Sequence, residues 1–182
     1  MASSRRRQDG FTLIEMLTVL GIVAILMTIA IPSFGNILKN TQRRRSVDNF
    51  WHAIFLARSE AIKRNSVVVL CKSNNGKRCD NSPGNWAKGW IVFDNLDKDE
   101  PAQVDSGEPI LRIYNAVEQI SVNSNRQTFT FRPTTQGAVN GTIVFCDARG
   151  SSEARAIIIS HTGRPRQSTK DASNRALTCP NT

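Results

Sequence analysis

The chain has 182 residues, 40% of them hydrophobic, which is room for one domain and an appendage rather than two domains. About 115 residues are enough to bury a core of their own. The formal charge is +9, of which Arg5, Arg6, Arg7 and Asp9 supply +2, so the rest of the chain is basic too, and such a surface favours polyanions or anionic headgroups without choosing between them.

The first element is an apolar helix. From Met16 to Leu38 there is no charged residue. Phe11 to Pro32 measures about 33 Å as a helix, against a hydrocarbon core of about 30 Å. The short basic flank RRRQDG precedes it. The run ends in AIPSFGNILKN, which lacks a small-x-small cleavage site, so the segment reads as an anchor that is kept. Glu15 stands out at its mouth. A carboxylate in a membrane helix costs on the order of 3 kcal/mol and so wants a cation. Cleavage after Gly10 would free one, the α-amino group of Phe11, for Glu15 of the same chain or of a neighbour.

Past the anchor, Val47, Phe50, Ile54, Ala57 and Ala61 recur at helical spacing, widened by Trp51, Phe55 and Ile62. Asn65 is expected to end this helix with a left-handed cap. Between anchor and stripe, KNTQRRRS carries Lys39, Arg43, Arg44 and Arg45, expected to meet lipid headgroups or acids of neighbouring subunits.

After Asn65 the period changes to two. Strands are predicted at 66–71, 88–95, 109–115, 127–133, 141–146 and 154–160, separated by NNGK, NSPG, DSGE, TQG and SHTG. The stretch LDKDEPAQVDSGE reads as a mobile, acidic surface loop. A helix followed by an antiparallel sheet is an α+β domain.

Cys71, Cys79, Cys146 and Cys179 follow an export-type segment, which points to disulfides. Zinc would want closer cysteine pairs or nearby histidines. The expected pairing is Cys71–Cys79, closing CKSNNGKRC, and Cys146–Cys179, stapling the tail to a strand; loop closure makes them worth about 2.5 and about 4 kcal/mol. No metal, cofactor or catalytic motif is found. The acids of DNLDKDE lack the central glycine and spacing of an EF-hand, His52 lies within an apolar helix face and reads as a packed or partly exposed residue, and no motif places a Ser or Cys nucleophile with His161.

The last informative stretch is SHTGRPRQSTKDASNRA. It holds Arg164, Arg166, Lys170 and Arg175 against one acid, Asp171. Gly163 permits a turn with positive φ, and Pro165 pushes Arg164 towards an extended conformation. Residues i and i+2 of an extended chain face the same way about 6.5 Å apart, close to the spacing of successive phosphates. Guanidinium forks suit phosphate. The rival reading is a solvated basic loop or a bridge to another subunit.

Gly10-Phe11-Thr12-Leu13-Ile14-Glu15, with the apolar run behind it, resembles the signature of type IV pilins and type II secretion pseudopilins. ARSEAIKRN, KGWIVF and ARAIIIS followed by GRPR are similar to the GspH/FimT branch of that family. The resemblance implies a pilin-like fold: a leader over 1–10, a helix over 11–65 with 11–32 in the membrane or fibre core, kinked at Pro32, and 33–65 packed on the sheet, then a β-rich head over 66–182. It implies cleavage after Gly10 and methylation of Phe11 by a prepilin peptidase, with Glu15 as the assembly carboxylate. It implies a single-pass protein of the bacterial inner membrane with a periplasmic head, later part of an extracellular fibre with other pilins. FimT-type members carry a GRxR motif associated with DNA binding in natural transformation, and Gly163-Arg164-Pro165-Arg166 matches it. Duplex DNA bound without base preference is the expected partner, with Lys170 and Arg175 adding charge. The alternative is a structural minor pilin or secretion pseudopilin with protein contacts only.

Overall fold

A computed structural model describes residues 10–82, 85–115, 117–133 and 137–179. The expected leader falls largely on residues 1–9, outside the described residues. Helix α1 runs over Leu13–Arg64. Residues up to Lys39 form one unit and residues from Asn40 a second.

In the first unit the apolar side chains from Phe11 to Leu38 are exposed, and α1 is long and apolar enough to cross a membrane, with a mean hydropathy of 2.5 over its most apolar window. Two threonine hydroxyls of this stretch bond to the helix itself. Thr18 Oγ1 donates to the Glu15 carbonyl at 2.9 Å and Thr28 Oγ1 to the Ile25 carbonyl at 2.7 Å, as apolar surroundings demand. Pro32 lies within the course of α1, and its side chain is outside the described residues.

In the second unit, α1 buries Val47, Phe50, Ala53, Ile54, Ala57 and Ala61. Phe50 is the centre of the core, its ring 5.2 Å from Trp90, 5.6 Å from Trp86, 5.9 Å from Phe145 and 6.2 Å from Phe129. The stripe is narrower than its periodicity suggests. Phe55 and Ile62 are exposed and Trp51 is half-buried, pairing with Phe55 at 5.5 Å. At about 100° per residue these three lie some 100–140° round the helix from Phe50, beyond the reach of the sheet. The helix ends as expected. Asn65 takes φ +52°, and its N–H and that of Ser66 return to the carbonyls of Ile62 and Ala61, a Schellman closure.

The strands are β1 Val67–Lys72, β2 Gly89–Asn95, β3 Ile110–Asn115, β4 Ser121–Ser124, β5 Thr128–Phe131, β6 Gly141–Cys146, β7 Arg155–Ile159 and β8 Pro165–Ser168. All pairings among the described residues are antiparallel, and they form two sheets, β3-β2-β1-β5 and β4-β6-β7-β8, where the sequence suggests one. β4 and β8 are not among the predicted strands. SVNS and PRQS carry no apolar alternation, and each is an edge strand recruited by its partner, β6 or β7.

β1 is buried along its whole length. Val68 and Leu70 face the main core, while Val67, Val69 and Cys71 join Ile91, Phe93 and Ala102 on the other face. That second cluster corrects the reading of residues 96–108 as a mobile loop. Ala102 is buried and Val104 packs beside it, so the loop covers the outer face of the first sheet. Asp99 braces it, accepting from Asn95 Nδ2 at 3.0 Å and from the Gln103 N–H at 3.1 Å.

Candidate assembly site and nucleic-acid interface

Gly10 and Phe11 are exposed and precede α1. Thr12 caps the helix, its Oγ1 accepting from the Glu15 N–H at 3.3 Å. Thr12-x-x-Glu15 is thus the first half of a capping box, a signal visible in the sequence that the GFTLIE motif overlies. The Glu15 carboxylate itself has no cationic partner among the described residues.

The basic hairpin lies between β7 and β8. The Gly163 N–H donates to the Ser160 carbonyl at 2.9 Å, and the Ser160 N–H to the Arg164 carbonyl at 3.1 Å. Gly163 has φ +71° and is buried against Ala138 and Phe131, so both its backbone freedom and its missing side chain are used. A second glycine clamps the loop from outside. A Cβ on Gly137 would stand 1.8 Å from the His161 carbonyl oxygen, and the adjacent Ala138 N–H donates to that oxygen at 2.9 Å.

Pro165 opens β8 opposite Ile159, where an edge strand tolerates its missing donor, and Arg166 lies opposite Ile158. Arg164 and Arg166 are exposed, and neither guanidinium meets an acid among the described residues. Arg164, which closes the turn, lines a groove of about 230 Å³ with Thr162, with Arg58 and Ile62 of α1, and with Phe131 and Arg132 at the end of β5. Arg166 does not line it.

The other two predicted cations stand apart. Lys170 is exposed, bridged through its backbone to Ala176. Arg175 Nε donates to Asp171 Oδ2 at 2.8 Å. The hydrogen bonds from Arg175, first of all its backbone N–H, hold the Asp171 carboxyl below the usual carboxylate range. Arg175 lines a different groove, beside β4 and Cys179. Arg58 and Arg132 carry no binding signal in the sequence, because no linear motif joins positions 58, 132 and 164; the fold alone brings them to one groove.

The basic cluster ahead of the helical stripe is divided. Arg44 and Arg45 are exposed, but Arg43 is buried, which corrects its reading as an outward-facing residue. Its Nη1 reaches Asp147 Oδ2 at 3.2 Å and the Glu153 carbonyl, and Nη2 reaches Asn40 Oδ1 at 3.1 Å. Arg149 binds the same Asp147 at 2.6 and 3.0 Å. Hydrogen bonds from Arg149, aided by the charge of Arg43, outweigh burial and hold the Asp147 carboxyl below its ordinary range.

Cys71 is bonded to Cys79 and Cys146 to Cys179. Asp97, Asp99 and Asp105 each bring a carboxylate oxygen within 4.8 Å of the others; Asp99 is engaged with Asn95 and Gln103, and Asp97 Oδ1 accepts from the Asp99 N–H at 3.1 Å.

Residues 46–163 match the profile of the type II transport protein GspH, and residues 5–31 match the prokaryotic N-terminal methylation motif. The fold is similar to that of the type IV minor pilin FimU of Pseudomonas aeruginosa in two crystal forms. One gives a TM-score of 0.53 at 15% identity, over 75% of this chain and 99% of FimU. The other gives 0.55 at 15% identity, over 78% and 98%. No protein of curated function matches the sequence. With an N-terminal methylation motif on an exposed apolar helix, and a two-sheet head whose profile match takes in most of the chain, this protein belongs to the GspH family of type IV minor pilins and pseudopilins.

Proposed function

We propose that this protein is a minor pilin that carries duplex DNA on its β7–β8 hairpin, holding the phosphate backbone without base preference during DNA uptake. The observation that carries the reading is the pair Arg164 and Arg166, exposed and without an acid partner among the described residues, on a hairpin braced by Gly137 and Gly163. A braced backbone carrying two guanidinium forks removes part of the entropic cost of binding phosphate. Of the formal charge of +9, the +7 that lies beyond residue 10 adds long-range attraction. No aromatic side chain interleaves with GRPR, so stacking on single strands is not part of the design. Lys170, exposed beyond the end of β8, adds charge to the same segment, and Arg175 adds less because Asp171 already holds it.

In this reading a prepilin peptidase cuts after Gly10 and methylates Phe11, and the head lies on the periplasmic side of the inner membrane. The carboxylate of Glu15 then draws the freed amine of a neighbouring pilin during assembly into a fibre, where a bulky basic head suits the tip.

Full-length protein in detergent, titrated with labelled duplex DNA, tests the DNA-binding part. Binding that weakens steeply with salt and is lost in the Arg164→Ala, Arg166→Ala double variant, with the far-UV circular dichroism unchanged, is expected. Absence of binding at low salt leaves a fibre protein with protein contacts only.

A further inference from the structure

We infer that the phosphate-binding part of this interface extends past the GRPR hairpin into the groove behind it, with Arg58 and Arg132 acting beside Arg164. The inference rests on the DNA-binding reading above and names the residues that deepen it. Three arginines far apart in sequence line one groove of about 230 Å³, and among the described residues no acid lines it. A water occupies about 30 Å³ in the liquid, so a groove of this size admits a phosphodiester group with part of its hydration.

The state of each guanidinium supports an anion there. Arg58 is half-buried on α1 and meets no acid among the described residues, whereas Arg64, further along the same helix, is paired with Glu60 and with Asp94. A half-buried cation with no acid at hand, lining one groove with two other arginines, favours an anion there. Arg132 has one acid, Glu100, at 3.6 Å, with both side chains well exposed, and such a pair contributes little. Glu100 belongs to the acidic 96–108 loop, so that loop places a competing carboxylate beside the groove. A DNA phosphate would take its place. Arg166, outside the groove on β8, is left for the next phosphate of the strand.

The test uses full-length protein in detergent and labelled duplex DNA over a range of salt. Arg58→Ala and Arg132→Ala are each expected to weaken binding about five- to tenfold at low salt and to reduce the slope of log K against log salt by about 0.9 for each phosphate no longer neutralised. Glu100→Gln is expected to tighten binding about two- to fivefold, the effect of freeing Arg132 from an exposed pair, a gain that a merely structural role would not produce. Lys77→Ala, which removes an exposed cation from a different loop, should leave the affinity within about twofold. If Arg58→Ala lowers the unfolding temperature, Arg58→Gln, which keeps the aliphatic stem, is read in its place. Wild-type affinity and salt slope in the Arg58 and Arg132 variants, alongside loss of binding in the Arg164, Arg166 double variant, would overturn this inference and leave the hairpin reading standing. No binding by the wild-type protein would remove both.

Discussion

Arg43 and Asp147 lie 104 residues apart in the chain and meet at 3.2 Å, buried where the start of the packed part of α1 crosses the end of β6. Asp147 also accepts both arms of Arg149, and Asn40 accepts from both arginines. The Glu153 carboxylate stands 3.4 Å from Arg43 and 3.9 Å from Arg149, so two acids meet two arginines and the buried Arg43–Asp147 pair is compensated, which is the condition under which such a network holds elements together.

Removing one member should be costly. Arg43→Ala leaves the Glu153 carbonyl with only the longer bond from Arg155 Nη1 at 3.3 Å and Asp147 with only Arg149, and is expected to destabilise the head by about 2 kcal/mol, measured by urea unfolding. Arg44→Ala, one residue on and exposed, should change stability by less than about 0.5 kcal/mol.

The same network gives stability a pH dependence. The carboxyl of Asp147 titrates lower in the folded protein than in the unfolded chain. Its contribution is thus fully present above the unfolded value of about 3.9 and is lost as pH falls through the lower folded value. Unfolding measured between pH 5 and pH 2 should show an acid-limb decline that is shallower in Asp147→Asn, with the mutant less stable than wild type at pH 5.

Two glycines separate backbone strain from steric clash. Gly137 and Gly150 have φ of +78° and +79°, but a Cβ on Gly137 would meet the His161 carbonyl oxygen at 1.8 Å, while one on Gly150 would meet nothing within 4 Å. Gly150→Ala should cost about 1–2 kcal/mol, from the backbone alone. Gly137→Ala should cost clearly more and displace the 160–164 loop, read as line broadening or shifts of the His161–Arg164 amides by NMR.

The disulfides should differ in weight. Replacing Cys146 and Cys179 by serine opens a span of 33 residues and is expected to cost about 4 kcal/mol, with faster amide exchange in the tail around Leu177. The Cys71–Cys79 span is 8, and its loss is expected to cost about 2.5 kcal/mol.

The proposed assembly role of Glu15 makes a prediction independent of the head. Glu15→Leu should leave urea unfolding of the head unchanged, since the carboxylate has no partner among the described residues. It should abolish recovery of the protein in sheared extracellular fibres.

Much of the design is legible directly in the chain. The GFTLIE motif, the uncharged run after it and the change from helical to alternating periodicity are local patterns, and local patterns carry helices, strand positions and a membrane-length segment. Asn65 as a cap and Gly163 at positive φ belong to the same class, because one residue's backbone preference decides each. The tertiary structure decided what depends on two distant partners. SVNS and PRQS became strands because β6 and β7 offered them an edge. Phe55 and Ile62 were left outside because the sheet covers only one side of α1. Arg43 turned inward because Asp147 waits there. Arg58, Arg132 and Arg164 share one groove because the end of α1, the end of β5 and the β7–β8 hairpin converge. Periodicity records which face of an element avoids water; it holds no record of what lies opposite, and a charge's meaning is set by what lies opposite.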